Sequence, residues 1–293
     1  MKVGAFELDR PPPELKEPHA FAMLRPWVDV GSVGTLILSW LETQFDAREL
    51  CRLSRPGDFF DFTRYRPNIY YRAGLQQVAV PNAYVTYSRQ RTGNDFLFFH
   101  LLEPHSHGEA YCDSILELLT KLGVKRYCLL GSMYDYVPHT RPLVVTGRGI
   151  GEGVAQELIR RGIQSSDYQG PTTITALLSW RAANVGIETM SLIVHLPQYT
   201  QMEEDYIGTV ALMRVLTSLY DVTMDEAYVT KAEQQLEQIN MALEKNPELK
   251  SIIQQLETHY EERAAREKGE GIPPLSPEIE RFLSEMERRF KEE

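Results

Sequence analysis

No stretch of about 18 consecutive apolar residues occurs in this chain, so no membrane-spanning helix is expected. The opening, Met1 to Arg10, carries acidic residues instead of a basic segment followed by an apolar one, which argues against a secretory signal. Cysteine is scarce. Cys51, Cys112 and Cys128 are odd in number and far apart, which excludes a disulfide framework or a closely spaced zinc pair and fits a reducing, cytoplasmic setting. Positive charge is also short: 31 Lys and Arg face 41 Asp and Glu, a net charge of −10, which argues against a protein that must displace counterions from nucleic acid.

Complete catalytic signatures are missing as well. The run from Gly147 to Gly153 approaches a dinucleotide fingerprint, but Glu152 stands where the third glycine belongs and would repel phosphate, so the run reads as a flexible loop. Ser132, in Leu130-Gly131-Ser132-Met133-Tyr134, lacks the second glycine of a nucleophile elbow. Cys128 alternates with apolar neighbours, as an inert buried thiol does. Glu103, His105, His107 and Glu109 have the right atoms for a divalent metal, yet Pro104 and Gly108 favour a solvated turn, and no cofactor is expected.

What is present is an ordinary core-forming composition, 43% hydrophobic and 25% charged, in 293 residues, consistent with one large domain and an appendage. Trp27 to Val30 reads as a strand that turns at Gly31-Ser32-Val33-Gly34 into a helix bearing Leu36, Leu38, Trp40 and Leu41. Further strands are expected at Asn68 to Tyr71, Val78 to Val85, Phe96 to Leu102, Tyr127 to Leu130, Leu143 to Thr146 and Ile187 to Leu196, with helices around Ile115 to Leu122, Val154 to Arg161, Leu177 to Trp180 and Leu212 to Leu219. That alternation predicts a three-layer α/β/α domain over residues 1–222 with a central, largely parallel mixed sheet.

Residues 223–293 are built differently. They hold 17 acidic and 10 basic residues, so −7 of the total −10 lies in the tail. Thr223-Met224-Asp225-Glu226 reads as a capping box, and Val229, Ala232, Leu236, Ile239 and Leu243 form one narrow apolar seam. Asn246-Pro247 restarts a helix with Leu249, Ile253, Leu256 and Tyr260 at the same spacing, so a helical hairpin is expected. Gly269 to Pro274 is a linker, and Ile279, Leu283, Met286 and Phe290 stripe a terminal helix that either folds back or docks on a neighbouring subunit.

In an open sheet, ligands collect beyond the strand ends, where helix N-termini offer free N–H groups. Gly31-Ser32-Val33-Gly34, Gly131-Ser132-Met133 and Gly170-Pro171-Thr172-Thr173 have that character, and His195 to Tyr199, with Pro197 and Tyr199, offers a fourth wall. The loop Pro138-His139-Thr140-Arg141-Pro142 adds a titratable imidazole and a forked guanidinium, suited to a small anionic or nucleoside-like ligand. The plainer reading is that the glycines permit tight turns, Thr172 caps a helix, and His139 and Arg141 brace the loop against Asp135 or a neighbouring subunit. Phe59 to Pro67 is dense in aromatic residues and arginine, as a base-stacking platform is, but also as self-association surfaces and local packing are.

These residues resemble a known family. Trp27 to Val30 with its Gly31 to Gly34 turn, Glu103-Pro104, Pro138 to Pro142, Tyr168-Gln169-Gly170-Pro171-Thr172, Gly186-Ile187 and Leu196-Pro197-Gln198-Tyr199 occur in an order similar to that of the proteasome assembly chaperone family, especially its bacterial members. Gln255 to Tyr260 and Ile279 to Leu283 look like the helical extension of those members. The resemblance implies a nucleoside-phosphorylase-like fold, self-association and, in archaeal and eukaryotic relatives, chaperoning of proteasome subunits. Proteasome-docking relatives end in a hydrophobic-tyrosine-any-residue tripeptide, whereas this chain ends Lys291-Glu292-Glu293, so docking by that route is not expected. The expected role is that of a non-enzymatic, homo-oligomeric protein whose partners are itself and a protein client, with neither nucleic acid nor membrane. The alternative is a hydrolase or phosphorylase-like enzyme with a small nucleoside-like or anionic substrate at the strand ends.

Overall fold

The computed structural model describes residues 1–8, 11–151, 153–166, 168–220, 222–244 and 247–266. The strands are β1 (Lys2–Val3), β2 (Phe6–Leu8), β3 (His19–Arg25), β4 (Arg48–Leu53), β5 (Asn68–Arg72), β6 (Leu75–Ala79), β7 (Tyr84–Ser88), β8 (Phe96–Leu102), β9 (Arg126–Asp135), β10 (Val145–Ile150), β11 (Gln164–Ser165) and β12 (Glu188–Pro197). The helices are α1 (Val33–Gln44), α2 (Gly108–Lys121), α3 (Val154–Arg160), α4 (Ile174–Asn184), α5 (Tyr206–Tyr220), α6 (Glu226–Glu244) and α7 (Pro247–Arg266). The chain is mixed α/β, with one large central sheet flanked by helices.

Among the described residues, that sheet has ten strands in the order β1-β2-β4-β7-β8-β3-β9-β12-β10-β11. β3 runs parallel to both β8 and β9, and β10 to β11, whereas β1-β2-β4-β7-β8 is antiparallel throughout. Parallel pairing is therefore confined to part of the sheet. The antiparallel side follows from short connections such as Gly4-Ala5, which have no room for a crossover helix. β8 sits where both faces are covered, and all seven of its residues are buried, which explains its unbroken apolar sequence Phe-Leu-Phe-Phe-His-Leu-Leu.

The contacts divide the chain into two units. The first, residues 1–30, 34–131 and 146–193, holds most of the sheet and a core in which Phe6, Leu24, Val85, Phe99, Tyr111 and Tyr127 are almost fully enclosed. Among the described residues, the second comprises residues 31–33, 132–145 and those from 194 to 266, with α5, α6 and α7 as its helices.

Several expected elements shift. Trp27 to Val30 is a turn: β3 stops at Arg25 before Pro26, which has no N–H for the ladder, and Val28 takes a left-handed φ of 61°. Asp29 instead caps α1, its carboxylate accepting the Thr35 N–H at 3.1 Å and the Thr35 hydroxyl at 2.6 Å. The run Val78 to Val85 splits around Pro81 into β6 and β7. Gly147 and Gly149, read as a flexible loop, lie inside β10, where a Cβ on Gly147 would come within 2.8 Å of Ile163. The cap of α6 is Asp225, which accepts the Ala227 N–H, instead of Thr223. The expected linker Gly269 to Pro274 and the terminal helix Ile279 to Phe290 lie outside the described residues.

Burial pushes the His19 imidazole, on β3, down to about 4; the nearby Arg126 charge adds to the effect, and Glu188 and Glu17 oppose it. The unfolded chain therefore takes up this proton first, and stability falls as pH drops from 6.5 towards 4. Allowing for partial exposure, the loss is about 2 kcal/mol. Urea midpoints at pH 7 and pH 4.5 should show a loss in the wild type larger by about 2 kcal/mol than in His19→Gln, since other buried groups such as His139 titrate in both; equal losses would refute it.

Candidate functional site

The second unit gathers much of what the sequence marks as functional. β9 ends at Asp135, and the loop Tyr136 to Pro142 follows it. One Asp135 carboxylate oxygen lies 2.7 Å from His195 Nδ1 and 3.5 Å from Arg263, and the other accepts the Tyr136 N–H at 2.7 Å. Burial pushes this carboxyl up, but the bond and charge of His195, the Tyr136 N–H and Arg263 together outweigh it and hold it below the usual aspartate value.

His139 is buried, and its ring is bonded at both nitrogens: Nδ1 to the Tyr199 hydroxyl at 2.7 Å and Nε2 to Asn240 Oδ1 at 3.1 Å. An amide oxygen can only accept, so Nε2 carries the proton and Nδ1 accepts from Tyr199, whose oxygen in turn accepts the His139 backbone N–H at 2.8 Å. Burial lowers the imidazole pKa, and the Asn240 bond and the Glu257 charge oppose it only in part, so the neutral ring is favoured. Burial likewise raises the Tyr199 hydroxyl above its ordinary value, with the His139 N–H working against it.

Arg141 is forked onto the tail, Nη1 to Glu257 at 2.9 Å and Nη2 to Glu261 at 2.6 Å. Thr140 donates to the same Glu257 oxygen, and the Tyr260 hydroxyl donates to the Pro142 carbonyl at 2.9 Å. Behind these polar bonds Leu256, 1% exposed, packs with Tyr136, Tyr199 and Ile252. The 3.6-residue period brings Leu256, Tyr260 and Arg263 to neighbouring positions on one side of α7, with Glu257 and Glu261 beside them. The loop has the contents the sequence indicated, but its groups face the protein's own helices. Nothing in the sequence paired Arg141 with carboxylates 116 and 120 residues later.

The glycine corners are occupied in a similar way. Gly31, at φ 60°, accepts the Asp205 N–H at its carbonyl, and an added Cβ would lie 2.7 Å from Asp205. Ser32 donates to the Glu203 carbonyl at 2.9 Å, and Pro197 accepts from the Thr200 hydroxyl at 2.9 Å. Gly34 and Gly131 belong to the first unit and fit against Asp29 and Val28 respectively; Ser132 is fully buried. Gly170, Pro171 and Thr172 are exposed in the first unit, where the Tyr168 hydroxyl donates to the Pro171 carbonyl, and the cap position of α4 is Thr173, one residue beyond Thr172.

A feature absent from the sequence reading is an open cavity of about 650 Å³ in the first unit, lined by Pro26, Asp61, Arg64, Tyr65, Glu103, Pro104 and His105. His105 Nδ1 accepts the Asp61 N–H at 3.2 Å, and the Tyr65 hydroxyl donates to the Glu103 carbonyl at 3.2 Å. Burial raises the Glu103 carboxyl, with His105 opposing it. His107 holds the left-handed position before α2, and Glu109 lies in that helix's first turn. Among the described residues, no three His, Cys, Asp or Glu are grouped to hold a metal ion. Phe59 and Phe60 are packed onto Tyr111 and are unavailable as a stacking platform.

The family model described as PAC2 family matches residues 23–245. The chain belongs to the PAC2 family. Among solved structures, a Mycobacterium tuberculosis protein of unknown function aligns with a TM-score of 0.78 at 23% identity, covering 92% of each chain. A proteasome-assembly chaperone homologue from the same organism gives 0.70 at 23%, covering 80% of this chain and 99% of the other. The Pyrococcus furiosus archaeal proteasome activator PbaB gives 0.66 at 14%, covering 83% and 99%. At these identities the likenesses show a shared fold. No curated protein matches this PAC2 chain in sequence.

Proposed function

We propose that this PAC2 protein is a non-enzymatic, assembly-chaperone-like binding protein that works through protein surfaces and assembles with copies of itself. One observation carries the reading: the polar groups of the loop after β9 are already engaged within the chain, Arg141 by Glu257 and Glu261, His139 by Tyr199 and Asn240, and Asp135 by His195. A group held in that way is a brace, with little left to bind or protonate a substrate. The names of similarly folded proteins, a proteasome-assembly chaperone homologue and a proteasome activator, point to protein partners. In this reading Asp135, His139, Thr140, Arg141, Pro197 and Tyr199 hold the helical tail against its loop. The setting we propose is cytoplasmic, in keeping with three free, buried cysteines.

A thermal-shift series with nucleosides, inorganic phosphate and divalent metal ions tests this against the phosphorylase-like alternative. A specific ligand at 100 times its dissociation constant would add about 2.7 kcal/mol of stability. The expected result is an unchanged melting temperature with each. A rise with nucleoside or phosphate that disappears in Arg141→Ala would overturn the proposal.

A further inference from the structure

β5 and β6 form a two-stranded antiparallel ribbon of their own, separate from the ten-stranded sheet. Every residue of β5 is exposed, and so are four of the five in β6. The strands join through Ala73-Gly74, both at positive φ, the geometry of a tight two-residue hairpin turn. Ile69 and Val78 are cross-strand partners and Tyr71 lies two residues further along, so the three share one face; they are 63%, 57% and 72% exposed. An isolated hairpin is at best marginally stable in water, and this one bares large apolar side chains and two unpaired strand edges.

Charge indicates what covers it. Residues 62–94 contain five arginines, Arg64, Arg66, Arg72, Arg89 and Arg91, and no lysine or acidic residue, within a chain whose net charge is −10. The rest of the chain therefore carries −15. All five arginines are exposed, and none forms an ion pair among the described residues. Exposed Glu226, Glu233 and Glu237 on α6 are likewise without an ion pair among those residues. Of the five arginines, Arg72 lies in the ribbon and Arg66 just before it, and residues 66–80 hold no acidic residue, so the arm is cationic on an acidic body; it complements the body of another copy and repels a second arm. The same −15 disfavours nucleic acid as the arm's partner, despite its tyrosines and arginines.

We propose that the β5–β6 ribbon is an arm that clasps a second copy of this chain, seating the Ile69, Tyr71 and Val78 face on it and pairing Arg66 and Arg72 with its carboxylates. This rests on the self-association proposed above and names the surface that produces it. Sedimentation velocity on the full chain tests it across protein concentration, with Ile69→Ser/Tyr71→Ser and Arg66→Glu/Arg72→Glu as variants. Both variants should keep the wild-type circular dichroism spectrum, because the substituted side chains are exposed, and their melting temperature should fall only by what the lost association contributed. The expected result is a wild-type multimer whose dissociation constant rises at least ten-fold in each variant and also rises with added salt. A multimer with the same constant in wild type and both variants overturns the arm and leaves self-association standing. A wild type that sediments as a monomer at every concentration overturns both, and so does an arm that binds an oligonucleotide while the protein stays monomeric.

Discussion

Replacing Gly131 by alanine is expected to destabilise the protein by about 3 kcal/mol, at the upper end of what overpacking a core costs. A Cβ built at this position in β9 would lie 2.4 Å from the Val28 carbonyl oxygen and 3.2 Å from Ile193 Cδ1. The nearer atom belongs to the backbone, which cannot rotate away as a side chain can. Val28 is itself held at φ 61° in the turn between β3 and the Asp29 cap, so retreat would disturb the start of α1 as well. The sequence marks Gly131 as a possible ligand corner; in the structure it lies close against Val28 and Ile193. Guanidinium denaturation of Gly131→Ala beside the wild type measures the cost; a change under about 0.5 kcal/mol would mean that the strand and turn relax freely.

Leu256→Ala is expected to cost a similar amount, about 3 kcal/mol, but in a different place. Leu256 is 1% exposed against Tyr136, Tyr199 and Ile252, and it is more enclosed than Ile253 on the same helix. Removing three carbons leaves a cavity between helix and loop, and the surrounding polar bonds are too exposed to hold the helix unaided: Glu261, one of the two carboxylates on Arg141, is 62% exposed. Hydrogen exchange should therefore quicken throughout Pro247–Arg266 and in Tyr136 to Pro142, while amides of β8 and β3 keep their protection. Wild-type protection across α7 would mean that the helix is held by something other than this cluster.

Most of the secondary structure was legible because periodicity reports burial. β8 is apolar at six of seven positions, α6 places Ala232 and Ile239 inward at a seven-residue step, and α7 buries Ile253 and Leu256 with Tyr260 half-buried. The misreadings have local causes. Trp27 to Val30 has strand-like residues, yet the preceding proline ends the ladder and Trp27 is 56% exposed. β4 escaped notice because Arg48, Glu49 and Arg52 interrupt its apolar residues. The glycines of β10 looked like a loop because glycine signals freedom in a sequence and close approach in a packed sheet. At the site, the residues of the Pro138 to Pro142 loop were legible and their partners were not. An arginine between prolines signals a fixed contact, but Glu257, Glu261 and Asn240 reach it only through the fold, across a hundred residues or more.

The exposure of the β5–β6 ribbon was hidden for a related reason. Residues 68–80 bear β-branched and aromatic side chains, as a half-buried strand does, and only their exposure in the folded chain separates a core strand from an exposed one.

The claim beneath all of this is that the protein acts by meeting other protein chains, its own copies first. Light scattering coupled to size exclusion, on the full chain at micromolar concentration and moderate salt, tests it most directly. The account predicts a mass that is a whole multiple of 33.6 kDa and at least twice that value. A single species at 33.6 kDa across the concentration range would contradict it.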